Sequence, residues 1–134
     1  MAEHPNATLI RESFGAMERS DMQWFDQHMA DDVVWHTGGN SKAAGETRGK
    51  DAVAQMMSAM DPSTMKADVH EILANDDHAV VMGTATVTAP SGASATYNYV
   101  NVFHIADGKL TEAWGMAEND AITDPIWDEF APPA

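Results

Sequence analysis

At 134 residues the chain has the length of one domain and enough bulk to bury a core without covalent staples. It contains no cysteine, which removes disulfides, thiolate nucleophiles and thiolate metal sites from consideration. Twenty-one Asp and Glu stand against seven Lys and Arg, a net charge of −14 that repels nucleic acid and anionic membranes. The acids are scattered, so no disordered acidic tail is expected. Solubility, adaptation to high salt and a basic partner are three readings of that charge. The first residues, with Glu3, His4, Pro5 and Asn6, do not read as a signal peptide, and every apolar run is too short to span a bilayer. The expectation is a single cytoplasmic domain, 1–134.

In chain order, Pro5 suits the first turn of a helix. Ile10, Phe14 and Met17 then recur at helical spacing, which predicts an amphipathic helix to about Arg19. Ser20-Asp21 reads as a turn and a new N-cap. Met22, Phe25 and Met29 mark a short second helix flanked by Trp24 and His28, broken by Asp31-Asp32. Val33 to Thr37 reads as a strand, and Gly38 to Gly49 as a loop. Val53, Met56, Met57 and Met60 predict a third helix, closed by Asp61-Pro62.

The remainder reads as a four-strand meander. Its strands are Met65 to Leu73, His78 to Thr88, Ser94 to Ile105 and Lys109 to Met116. Asn75-Asp76-Asp77, Ala89 to Gly92 and a tight Asp107-Gly108 hairpin separate them. Ile122, Ile126, Trp127 and Phe130 predict a short closing helix. The fold class is α+β: three helices in the N-terminal half packed on a strongly bent, mostly antiparallel sheet. Such a cone has an open mouth suited to a small ligand.

Several stretches taken together resemble a known family. They are Asp32-Val33-Val34-Trp35-His36, Ala44-Gly45-Glu46-Thr47-Arg48-Gly49-Lys50-Asp51-Ala52-Val53, Val102 to Trp114 around Asp107-Gly108, and Glu118-Asn119-Asp120 with Trp127-Asp128-Glu129-Phe130. Their order and spacing are similar to the SnoaL-like branch of the nuclear transport factor 2-like superfamily. The resemblance implies a cone-shaped α+β barrel, most often a homodimer. Relatives include ketosteroid isomerases, polyketide cyclases, epoxide hydrolases, dehydratases and non-enzymatic binding modules, so it implies activity less firmly.

Against the ketosteroid isomerase pattern, the base position falls on Thr37, the tyrosine position on Ser13 and the protonated-Asp position on Asn101. The resemblance therefore implies that the usual isomerase mechanism is absent, since Thr37 cannot abstract a proton unaided. Asn101 remains able to hold a ligand carbonyl, or else to satisfy backbone groups. Strand alternation puts Tyr97, Tyr99, Asn101 and Phe103 on one face, which suits an oxygenated apolar ligand. Trp35 and Trp24 are expected as core or pocket walls.

His36 is the base candidate near the mouth. The alternation that turns Trp35 and Thr37 inward turns His36 outward, unless the strand end bends. Glu46 and Glu112 are the carboxylates nearest that region, Glu112 sharing its face with Trp114. The histidines show no metal-ligand spacing and no nucleotide-binding motif is present, so neither a metal nor a cofactor is expected. Two readings stay open: cofactor-free acid–base conversion of a small oxygenated apolar molecule (isomerase, cyclase, dehydratase or hydrolase type), and a non-enzymatic binding or dimerisation module.

Overall fold

The computed structural model describes residues 3–59 and 63–130. Four helices and six strands follow one another: α1 Pro5–Glu18, α2 Met22–His28, β1 Met29–Thr37, β2 Gly45–Arg48, α3 Lys50–Ser58, β3 Met65–Ala74, β4 His78–Thr88, β5 Ser94–Ala106, β6 Lys109–Ala117 and α4 Asp120–Asp128. No described helix is long and apolar enough to cross a membrane.

Local chemistry sets the element ends. Pro5 opens α1, and the His4 ring accepts from the Asn6 N–H at 3.1 Å. Asp21 caps α2 by accepting from the Trp24 N–H at 3.2 Å. Asp107 and Gly108 both have positive φ, 54° and 73°, as a two-residue hairpin turn of matching twist requires.

The strands form one open sheet in the order β2-β1-β6-β5-β4-β3. Neighbours run antiparallel except β1 and β6, which are parallel. Two expectations from sequence are corrected here. Met29 opens β1 instead of ending α2, and Asp31 and Asp32 are exposed strand residues rather than a helix break. The 38–49 segment is not all loop, because β2 pairs there with β1, from Val34↔Arg48 to Thr37↔Gly45. A four-residue strand among Gly, Glu, Thr and Arg has no apolar period of its own, and only its partner makes it a strand. The predicted end of the third helix at Met60, Asp61 and Pro62 lies outside the described residues.

The core fills the space between the concave sheet face and the helices. Ile10 and Ala16 of α1, Phe25 of α2 and Val53 of α3 are buried against Met29, Val33, Val81, Val87 and Leu110. Large β5 side chains face small residues on both neighbouring strands. Tyr97 sits opposite Ala85, Tyr99 opposite Gly83, and Phe103 between Ala79 and Ala113. This alternation gives the β5 stripe room to stand up from the sheet, and it leaves a void beneath the helices.

Candidate functional site

The void is a cavity of about 680 Å³, within the range of small-ligand sites. It is bounded by α1 (Ser13, Phe14, Met17), by Phe25 of α2, by α3 (Gln55, Met56, Met57), by the concave sheet face and by α4 (Asp120, Thr123, Trp127). Of the residues selected from sequence, Ser13, Trp35, Thr37, Tyr97, Tyr99, Asn101 and Phe103 all meet at this wall.

The polar groups there differ in what remains unspent. The Ser13 hydroxyl donates to the Ile10 carbonyl at 2.6 Å, so it keeps only lone pairs for a ligand. The Tyr99 hydroxyl is fully buried and has no hydrogen-bond partner among the described residues. Burial pushes the Tyr99 phenol up to about 12, with the Asp68 carboxylate adding to the effect. Burial likewise raises Tyr97 to about 12, and Tyr99 adds to it. Both are neutral at physiological pH.

Asn101 lies opposite Gly115 of β6. A methyl group on Gly115 would stand 3.4 Å from Asn101 Oδ1 and 3.9 Å from Trp35 Nε1. Glycine thus leaves a slot flanked by an amide and an indole N–H, and neither group has a hydrogen-bond partner among the described residues. Trp35 also meets Phe103 edge to face, with ring centroids 6.0 Å apart, which fixes the indole plane.

Four sequence candidates lie elsewhere: His36, Glu46, Glu112 and Trp24. His36 is on the convex face of the sheet: its Nε2 is 2.6 Å from Glu112 Oε2, and its ring stacks on Trp114 at 4.8 Å. The reason is register. Val34 to Thr37 pairs regularly with both β2 and β6, and the irregularity in the β1–β6 pairing falls upstream, between Met29 and Val34, so alternation holds to the strand end. Glu112 shares that outer face with His104, Nδ1 to Oε1 being 3.7 Å, and Glu46 approaches the other His36 nitrogen at 3.7 Å. Trp24 stacks on His28 at 4.2 Å on the flank of α2, while its neighbour Phe25 reaches the cavity. Consecutive helical residues point about 100° apart, so only one of the two can face in. Among the described residues, no group of three or more His, Asp or Glu is arranged to hold a metal ion.

The sequence reading missed two charged residues at the wall, Lys42 and Asp120. The loop carrying Lys42 is tied to α4. The Asn40 N–H donates to both Asp124 carboxylate oxygens at 3.1 and 3.2 Å, and the Lys42 N–H to Asp128 Oδ1 at 2.7 Å. The one advance signal was the i, i+4, i+8 spacing of Asp120, Asp124 and Asp128 on a helix whose other face is apolar.

Comparison with known proteins agrees with this architecture. The SnoaL-like domain model matches residues 10–113. The uncharacterized protein Rv0034 of Mycobacterium tuberculosis is 25% identical over 130 residues, covering 95% of this chain and 99% of that protein. Bal32a, from a soil-derived mobile gene cassette, superposes with a TM-score of 0.82 at 22% identity, covering 92% of this chain and 96% of Bal32a. An NTF2-like protein from Burkholderia pseudomallei superposes at 0.78 with 25% identity, covering 92% and 98%. With the family pattern running through most of its length and the cone-shaped α+β fold in place, the chain belongs to the SnoaL-like domain family of the nuclear transport factor 2-like superfamily.

Proposed function

We propose that the cavity takes a small apolar molecule bearing an oxygen acceptor, which seats in the slot between Asn101 and Trp35, accepting from the indole Nε1–H and from the Asn101 Nδ2 once the amide is turned toward it. The observation carrying this reading is that slot: two polar groups without hydrogen-bond partners among the described residues, separated by a glycine in a wall lined mainly by apolar side chains. Groups left unpaired in such a wall favour a ligand that pairs them. The test compares 2-acetylnaphthalene with 2-ethylnaphthalene, which differ by a carbonyl. The wild-type chain is expected to prefer the ketone. Asn101→Leu, which roughly keeps volume, should cut that preference by about 0.5–1.5 kcal/mol, up to roughly tenfold in affinity. Equal affinity of the wild-type chain for the two probes sinks the proposal.

A second reading, conversion rather than binding alone, is favoured by one observation. Asp120 is the one carboxylate among the described residues at the cavity wall, and a positioned carboxylate can act as a general acid or base. The chemistry would be cofactor-free isomerisation, cyclisation, dehydration or hydrolysis. Asp120→Asn separates the readings: loss of turnover with affinity retained supports conversion, and unchanged turnover removes it.

We also propose a homodimer formed through the convex sheet face. Leu73, Val100 and Met116 expose 52%, 36% and 45% of their surface there, and Val100 and Met116 are direct cross-strand partners. A contiguous apolar patch of this kind is uncommon on a monomer. Sedimentation should show a dimer at micromolar concentration, and a clean monomer rejects it.

A further inference from the structure

We infer that the molecule bound in the cavity carries a carboxylate at its solvent-facing end, recognised by Lys42. This rests on the cavity reading above and adds the charge of the ligand to it.

Among the described residues, Lys42 and Asp120 are the charged side chains at the cavity wall. The Asp120 charge is already provided for. It occupies the first turn of α4, where the free N–H groups and the helix dipole favour an anion. Lys42, by contrast, has no ion pair among the described residues. Arg11, Arg19, Arg48 and Lys50 all hold carboxylates, with closest contacts between 2.6 and 3.8 Å. No described carboxylate lies within 4 Å of the Lys42 ammonium, in a chain with three times as many acids as bases. Lys66 and Lys109 also lack ion pairs among the described residues and are exposed, as Lys42 is, but only Lys42 borders the cavity.

The backbone of Lys42 is fixed at the mouth by its bond to Asp128, and the neighbouring Asn40 is bound to Asp124. The Cα of Lys42 is therefore held beside the cavity, which lies within reach of its four-carbon side chain. The overall charge of −14 repels anions at long range, so an anionic ligand needs a local cation to hold it. An unpaired lysine at the rim supplies that cation. The apolar interior takes the hydrocarbon skeleton, and the Asn101–Trp35 slot takes the far oxygen.

The test uses the full chain and two probes: 6-acetyl-2-naphthoate and the corresponding neutral carboxamide. Affinities are measured by calorimetric titration at low and high potassium chloride. At low salt the carboxylate should bind about 3- to 10-fold tighter than the carboxamide, the size of a partly exposed ion pair. The preference should fade in molar salt. Lys42→Gln should abolish the preference, and Lys42→Arg should retain it. Equal binding of the two probes, or a preference that survives in Lys42→Gln, overturns the inference and leaves the cavity reading standing. Absence of saturable binding by either probe overturns both.

Discussion

Gly83→Ala is expected to destabilise the protein and to spoil its cavity together. Gly83 lies directly opposite Tyr99 in the β4–β5 ladder, and the phenol lies over it. A β-carbon at residue 83 would collide with the Asp68 carbonyl and stand 2.6 Å from Tyr99 Oη and 2.8 Å from Cζ. The carbonyl belongs to the paired backbone of β3, so it cannot swing away, and the tyrosine must move. Overpacking of this kind costs about 1–3 kcal/mol, and more where backbone is involved. For a chain of this size the melting temperature should fall by roughly 5–10 °C. The displaced ring would be driven into the cavity, so affinity for 2-acetylnaphthalene should fall in parallel. Gly15→Ala is the control. It lies inside α1, where the nearest atom outside the helix backbone is the far end of the Arg19 side chain at 3.1 Å. There the same substitution should be neutral or stabilising by up to about 1 kcal/mol. A Gly83→Ala protein with wild-type stability would show that the phenol does not occupy the position described.

The second large effect is alkaline unfolding. Tyr97 and Tyr99 are both held up at about 12 in the folded chain, above the ordinary phenol value of 10.0, chiefly because burial disfavours the phenolate. Between those two values the unfolded chain has released its protons and the folded chain has kept them. The unfolded state then binds fewer protons, so stability falls as pH rises from about 10 to about 12 and is unaffected below that window. At 1.36 kcal/mol per pKa unit the loss is up to about 2–3 kcal/mol per ring. These are the only two tyrosines in the chain, so phenolate absorbance near 295 nm reports on them alone. The absorbance rise should coincide with loss of circular dichroism. Tyr99→Phe should blunt the transition, and it should also stabilise the chain at neutral pH by removing a buried, unpartnered hydroxyl. Titration of both phenols near pH 10 with the fold intact would contradict the burial argument.

Much of this was legible in the sequence because the relevant signals are local. The helical recurrence of Ile10, Phe14 and Met17, the Asp107-Gly108 turn and the alternation Tyr97, Tyr99, Asn101, Phe103 each depend on neighbours a few residues away. They set the element order apart from β2, the inward face of β5 and the inward parity of Trp35 and Thr37. Local parity also pointed His36 outward. The remaining question was whether a bulge reversed it, and that depended on pairing with β2 and β6, which no residue of β1 encodes.

The tertiary structure alone decided the rest, because those features come from contacts between distant segments. Gly45–Arg48 becomes a strand only by adding to the edge of β1. The parallel pairing of β1 with β6 joins residues about 80 positions apart and sets which side chains border Trp35. The small residues Ala79, Gly83 and Ala113 look like weak strand formers in isolation, and their purpose appears only opposite the large β5 side chains. Lys42 and Asp120 read as ordinary surface charges until α4 folds back and its aspartates seize the backbone of the 38–44 loop. Periodicity reports which face of an element is buried. Which residues share a cavity is set by how those faces are brought together, so Lys42 stands out among the charges of a −14 chain only once that packing places it at the cavity wall.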